Sequence, residues 1–298
     1  MLSTGRTLSS FVFCDSRKAE FEDVTDSGQG DQVNKSYLEV TGMVVTNPTK
    51  DSVHMQQDVL LHSSSIFHPT LDEFPAALFL ESSEPNIKPF AYLQLPSVHS
   101  TKSTAININQ TLMITDMGQF SEYSKTVMNS ETFRVALRGQ TALHLGKLPS
   151  TVVQYNEVLT FKGLNKLTGF NIPTYQIVAA KDGGPNMIGK AFIPNPSIMT
   201  LQMGNVTYNI YYNNTFIGTS LLPDLTLKPG NNTVDMRSTV NLKLLQPPPK
   251  DGLLHLEVRG NSSIYNGQHL TYYEDALKSN PMHIVLDLAK GMKPPGKN

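Results

Sequence analysis

Six asparagines open Asn-X-Ser/Thr sequons: Asn34, Asn109, Asn205, Asn213, Asn231 and Asn261. The chemistry such triplets carry is N-glycan acceptance, in which the side-chain amide becomes the glycosylated nitrogen. Asn205, Asn213 and Asn231 fall on or near expected turns, where a glycan is easiest to accommodate. Other chemistry is sparse. The eight histidines (His54, His62, His68, His99, His144, His255, His269 and His283) form no close pair of zinc-protease type. His62 and His68 flank Ser63-Ser64-Ser65, but no Gly-x-Ser-x-Gly elbow surrounds a serine, and both read as loop histidines. Asp72-Glu73 and Glu274-Asp275 are adjacent carboxylates that read as solvated loop and helix-face charges. Glycoside hydrolysis needs opposed carboxylates from separate elements. Tyr208, Tyr211, Tyr212, Tyr272 and Tyr273 cluster in the second half. An exposed strip of them could bind glycan or lipid, and a buried one would fill a core. No catalytic residue, cofactor site or metal site is expected.

The elements that must carry these residues are mostly strands. Period-two alternation runs through Leu38-Val40, Met43-Val45, Val53-Met55, Val59-Leu61, Ala77-Leu80, Ala91-Leu95, Ile106-Ile108 and Leu112-Ile114. It resumes at Phe133-Leu137, Ala142-Leu145 and Val158-Phe161, then at Ile188-Ile193, Val206-Tyr212, Phe216-Leu222, Val234-Leu245, Leu253-Val258 and Ile284-Leu288. Short breaks of Pro, Gly, Asn and Ser separate the runs, the pattern of a sandwich rather than of βαβ units. Asn213-Asn214 suits a tight turn, because Asn tolerates positive φ. Two segments carry helical spacing instead: Gln119–Asn129, with Asp116 as N-cap, and Gln268–Ser279.

The chain also repeats itself. Asn47-Pro48-Thr49 matches Asn195-Pro196-Ser197 at an offset of 148, and Pro75 matches Pro223 at the same offset. Gly118-Gln119 matches Gly267-Gln268 at 149, and Phe133, Val135 and Leu137 match Ile284, Leu286 and Leu288 at 151. A period near 150 is a whole domain. The fold expected is therefore all-β: two tandem immunoglobulin- or fibronectin III-like β-sandwiches, each with one short helix. The expected boundaries are 1–36 (loosely structured, with one strand near Phe21-Val24), 37–164, 165–289 and a disordered tail at 290–298. In the second copy the chain ends ten residues after Leu288, so a closing hairpin is expected to be missing there.

Asn195–Val206, Asn213–Gly218 and the Leu225–Asn232 stretch with its Pro229-Gly230 turn resemble a fungal domain of unknown function. That domain occurs in tandem in vacuolar membrane proteins, the yeast termination-of-autophagy protein among them. It is similar to the water-stress and hypersensitive-response domains of late-embryogenesis-abundant proteins. The first copy resembles it through Asn47–Thr49, Phe133–Gly139 and Val158–Leu164, and the resemblance covers about residues 38–290. It implies β-sandwiches on the lumenal side of the vacuole membrane, an anchoring transmembrane helix, and no catalytic residues. No apolar run here approaches the ~20 residues such a helix needs.

Composition agrees with a polar but weakly charged β surface. Charged residues are 16%, against roughly 25% in ordinary domains, and the net charge is −1. Nothing in that balance suggests nucleic acid. Residues 1–164 carry 12 basic and 17 acidic side chains, and residues 165–298 carry 12 and 8. The single cysteine, Cys14, excludes a disulfide framework within one chain. The expected function is a non-catalytic lumenal interaction or structural module with protein partners, linked through the resemblance to autophagy regulation. The alternative is a lipid- or apolar-ligand-binding sandwich, and a glycan-active enzyme ranks last.

Overall fold

The structure, a computed structural model, describes residues 8–12, 19–23, 36–63, 67–180 and 182–291. The expected tail from 292 onward, Cys14 and Asn34 lie outside the described residues. The strands are β1 (Leu8–Val12), β2 (Ala19–Asp23), β3 (Ser36–Thr46), β4 (Ser52–Ser63), β5 (Thr70–Leu71), β6 (Phe74–Leu80), β7 (Ala91–Leu95), β8 (Val98–His99) and β9 (Ser103–Met113). After helix α1 (Met117–Asn129) come β10 (Thr132–His144), β11 (Thr151–Lys162), β12 (Asn171–Ile177), β13 (Met187–Asn195), β14 (Met199–Tyr212), β15 (Thr215–Leu227), β16 (Gly230–Val240), β17 (Leu253–Tyr265) and β18 (Gln268–His269). Helix α2 (Thr271–Lys278), β19 (Met282–Asp287) and the short α3 (Leu288–Gly291) complete the described chain.

The chain divides into two compact units, with the main cut between Lys162 and Gly163; residues 48–50 and 121–131 group with the second unit. In the first, β4 lies between β3 and β9, and β10 lies between β11 and the β6–β7 pair. The two sheets bury apolar faces against each other. Val59 and Leu61 of β4 oppose Phe74, Leu93 and Leu137 in this core. In the second unit the order is β12-β13-β16-β15-β14-β17, and β19 pairs on the far side of β17. Here Tyr208, Ile210, Leu222, Leu256 and Ile284 face Met187 and Met236 across the core.

The element order β3-β4-β6-β7-β9-α1-β10 recurs as β13-β14-β15-β16-β17-α2-β19. Two pairings recur with it: β4–β9 matches β14–β17, and β6–β7 matches β15–β16. Two do not. β3 pairs with β4, whereas β13 pairs with β16; β10 pairs with β6, whereas β19 pairs with β17. A strand at the open side of a sandwich can hydrogen-bond to either sheet, so these outer strands are where duplicated sandwiches diverge most cheaply. In the second unit β19 leads into α3 rather than into a strand like β11.

Several expectations need correction. The N-terminal stretch holds two strands, β1 and β2, paired antiparallel, rather than one. β12 was not expected, because Pro173 interrupts its pattern; its register shifts between Asn171 and Thr174, as suits an edge strand carrying proline. The run Val234–Leu245 breaks at Val240. Leu242–Leu245 is a 3-10 turn capped by the Asn241 side chain, with Leu242 and Leu244 exposed. The second helix starts at Thr271 rather than Gln268, since Gln268 and His269 pair with Tyr265 and Ile264.

Local signals account for the rest. Asp116 accepts a hydrogen bond from Gln119 N at 3.0 Å and so caps α1 as expected. Asn213 and Asn214 have φ of 48° and 60°, the two left-handed residues of a type I′ turn. Gly230 has φ 89° in the turn after Pro229, and Leu225 and Leu227 are both buried. Asn-Pro does not act alike in the two copies. Asn47 is exposed with φ 46°, not extended, whereas Asn195 is buried within a side-chain network. Gly118 lies in the first turn of α1, but its sequence counterpart Gly267 has φ 76° in a hairpin turn.

Candidate functional site

The second unit gathers most of the polar side chains with specific partners. Residues 121–129, the greater part of α1, meet α2 through paired contacts. The Ser121 hydroxyl donates to Asp275 Oδ2 at 2.8 Å, and Asn129 Nδ2 donates to Ser279 Oγ at 2.7 Å. The Tyr272 hydroxyl donates to Thr49 O at 3.0 Å, and Gln268 Oε1 accepts from Lys50 N at 3.4 Å. Tyr208, Tyr272 and Tyr273 are buried, and Tyr211 and Tyr212 are half-buried at the end of β14. Burial raises the Tyr208 and Tyr273 hydroxyls well above 10 and pushes Tyr123 up to about 12. Three of the five clustered tyrosines are thus core residues rather than an exposed strip.

Glu274 does not sit on a solvated helix face. Its residue is 8% exposed, and Oε1 lies 2.5 Å from His269 Nδ1 and accepts from Ser263 N at 3.3 Å. Lys278 Nζ donates to Oε2 at 3.4 Å. Burial, the largest influence, would raise this carboxyl. The His269 hydrogen bond, the Ser263 N–H and the charges of Lys278 and His269 together outweigh it and hold the group below its ordinary 4.5. A carboxyl lowered on folding contributes stability above its unfolded value, and that stability is lost as pH falls through the folded one. Glu274→Gln is therefore expected to flatten the loss of stability below about pH 4.5 and to cost roughly 1 kcal/mol at pH 7. Urea unfolding across pH 3–7 measures both, and an acid limb identical to that of the unsubstituted chain would refute the assignment.

Two concavities stand apart. An open groove of about 470 Å³ crosses β12, β13 and β16, lined by Tyr175, Gln176, Ile188, Lys190, Asp235 and Arg237 among others. In it Lys190 Nζ lies 2.5 Å from Asp235 Oδ1, and this hydrogen bond and charge lower the Asp235 carboxyl. The second concavity is inside the first unit. It measures about 80 Å³ and is walled by apolar side chains such as Leu61, Phe74, Leu93 and Ile108.

All five described sequon asparagines are exposed. Asn109 lies in β9 opposite Gln56. Asn205 lies at an irregular stretch of β14, where its Oδ1 accepts from Asp224 N at 3.0 Å beside Pro223. That bond uses the amide oxygen, the atom a glycan on Nδ2 does not take. Asn213 is the first residue of the β14–β15 turn, Asn231 is the second residue of β16, and Asn261 lies in β17. Sequence placed these asparagines but did not reveal Glu274 or the groove. The former needs His269 brought beside α2 by the hairpin turn, and the latter needs β12, which has no periodic signal.

Among the described residues no group of three or more His, Cys, Asp or Glu side chains could hold a metal ion. His62 lies 3.2 Å from Glu39, and His144 lies 3.0 Å from Asp72. No helix among the described residues is long and apolar enough to cross a membrane.

No curated protein matches the chain in sequence. Among solved structures, a bacterial adhesin from Mobiluncus mulieris, containing intramolecular disulfide, isopeptide and ester bond cross-links, is similar at 11% identity. That match covers 83% of this chain and 82% of the adhesin, with a TM-score of 0.23. A second crystal form of the same adhesin gives 10% identity, 77% and 80% coverage, and a TM-score of 0.22. A family model described as a protein of unknown function, DUF3712, matches residues 88–210. The matched segment runs from just before β7 into β14 and includes α1, Asn109, the Asn195-Pro196 turn and Asn205. The chain thus contains, at residues 88–210, a DUF3712 domain, whose function is unknown.

Proposed function

We propose that this chain is a non-catalytic, N-glycosylated module on the lumenal side of a fungal vacuolar or endomembrane protein, acting through protein contacts in a setting tied to autophagy regulation. The observation that carries this reading is the placement of the sequons. All five described asparagines are exposed, and four stand on the second unit, at the β14–β15 turn and on β14, β16 and β17. The resemblance of Asn195–Val206 and Leu225–Asn232 to the tandem fungal domain supports the compartment. Packing supports a structural rather than a ligand-carrying role. The interior cavity of about 80 Å³ in the first unit falls short of the ~300 Å³ at which ligand pockets begin, and the larger groove of about 470 Å³ is open rather than enclosed. Among the residues lining the open groove, Asp235 is the one carboxylate, and it is held by Lys190. Hydrolysis of a glycoside takes two facing carboxylates.

The test is endoglycosidase treatment of the protein isolated from its own cells. A downward gel shift corresponding to several glycans is expected, together with co-fractionation with vacuolar membranes. Unchanged mobility would refute the lumenal reading.

A further inference from the structure

We infer that Asn213 is an N-glycan acceptor whose first sugar packs against the Tyr212 ring at the tip of the β14–β15 hairpin. The inference rests on the lumenal reading above for its occurrence in the cell. Tyr212 and Thr215 are cross-strand partners that close a two-residue turn, with Asn213 and Asn214 both at positive φ. Closing partners in an antiparallel pair place their side chains on one face, with Cβ atoms roughly 4.5–5.5 Å apart. Tyr212 and Thr215 therefore share one face of the hairpin, on which the buried Leu256 of β17 is the other cross-strand partner of Tyr212, and Asn213 follows Tyr212 directly in the turn. Asn213 and Thr215 are exposed, and Tyr212 is half-buried. Thr215 is also the hydroxyl residue of the sequon. The triplet's two recognised side chains and the aromatic ring thus meet within four consecutive residues held by a rigid turn.

An N-acetylglucosamine has one face of axial C–H bonds, and such a face stacks on the electron-rich face of an aromatic ring. The other side of the hairpin is already occupied. Tyr211 and Phe216 are edge-to-face at 5.8 Å, and the Arg259 guanidinium lies 4.4 Å over Tyr211. The remaining described sequons lack this arrangement. The residue preceding the asparagine is Ile108 at Asn109 and glycine (Gly204, Gly230, Gly260) at Asn205, Asn231 and Asn261. Asn213 follows a tyrosine.

The modification balances simply. The Asn213 carboxamide nitrogen attacks the anomeric carbon of a lipid-diphosphate-linked oligosaccharide. A C–N bond forms, the C–O bond to the diphosphate breaks, the amide loses one proton, and the lipid diphosphate leaves.

The experiment uses the full chain secreted from a glycosylating eukaryotic host, so that it does not depend on the native compartment. Mass spectrometry reads occupancy at each sequon. Thermal unfolding then compares Asn213 with Asn213→Asp, which tolerates the same positive φ, in the Tyr212 background and in Tyr212→Leu. Occupancy of Asn213 is expected. Its loss should lower Tm by about 2–4 °C beside Tyr212 and by less than half as much beside the leucine. In the unsubstituted glycoprotein, upfield-shifted sugar protons with through-space contacts to the Tyr212 ring are expected by NMR, a readout that survives if Tyr212→Leu folds poorly. An unoccupied Asn213, equal Tm losses in the two backgrounds, or sugar protons without ring-current shifts would each overturn the inference. If these results hold while native protein shows no endoglycosidase shift, it is the lumenal reading that falls and not the site.

Discussion

Gly163→Ala is expected to destabilise the second unit by about 3 kcal/mol, among the largest effects of any one-methyl change in this chain. A Cβ at Gly163 would stand 2.2 Å from Ser130 O and 2.8 Å from Val127 O. These are backbone atoms at the C-terminal end of α1, so no rotamer change can clear them. They are also in use: Leu164 N donates to Val127 O at 2.7 Å, Asn165 N to Ser130 O at 3.0 Å, and Gly163 N to Glu131 O at 2.8 Å. The chain after β11 therefore satisfies the Val127 carbonyl in the last turn of α1 and the Ser130 and Glu131 carbonyls just beyond it, and the methyl forces it away from all three. Relief by local movement is blocked, because Leu164 and Leu167 on the following turn are buried. Gly260 stands in the same relation to α2, where a Cβ would lie 2.4 Å from both Leu277 C and Leu277 Cβ. Gly42→Ala is the control, with its nearest neighbour 3.9 Å away, and should change stability by less than about 0.5 kcal/mol. Urea midpoints followed by far-ultraviolet circular dichroism decide the matter. A Gly163→Ala midpoint as close to wild type as the Gly42→Ala one would contradict the packing described.

Asn195→Ala should cost a similar amount, about 3 kcal/mol, for a different reason. The side chain is 1% exposed and fully engaged. Nδ2 donates to Met199 O at 2.8 Å, while Oδ1 accepts from Ser197 N at 3.0 Å and from Ser197 Oγ at 2.6 Å. Ser197 Oγ in turn accepts from Met199 N at 3.1 Å, and Ser197 is itself buried. Truncation takes from Met199 O, Ser197 N and the Ser197 hydroxyl proton the partner each finds in Asn195, each a desolvation penalty of about 1–3 kcal/mol before relaxation. Asn195→Asp is expected to be at least as harmful, since a carboxylate can accept from Ser197 but turns a second oxygen toward Met199 O. Asn47→Ala, in the matching dipeptide of the first copy, should cost clearly less, because Asn47 is exposed. Equal losses at the two positions would show that the motif plays one role in both copies.

That contrast shows how far the sequence could be read. Alternating residues such as Leu225 and Leu227 announced their strands, because burial on one face imposes a period of two wherever a strand has a core side and a solvent side. Asp116 and Asn213-Asn214 announced a helix start and a turn, because local hydrogen bonding and φ preference act within a few residues. What could not be read depends on partners far along the chain. β13 leaves β14 for β16, and β19 joins β17 where β10 joins β6; the strand sequences say which face is apolar but not which edge is taken. Glu274 looks like any exposed helix carboxylate until the turn at Asn266-Gly267 carries His269 and Ser263 to it. The glycosylation motifs were legible as triplets. That Tyr212 and Thr215 share one face of the hairpin at Asn213 emerges only from their pairing.

The strand pairings give the family match an unusual standing. The segment 88–210 opens after β6 and closes inside β14. It takes β9 without β4, β10 without β6, and β14 without β15 or β17, each a hydrogen-bonded neighbour left outside. The matched stretch is thus out of phase with the stretches that close a core. It pairs the tail of one sandwich with the head of the next, like a chain of links named from the middle of one to the middle of its neighbour.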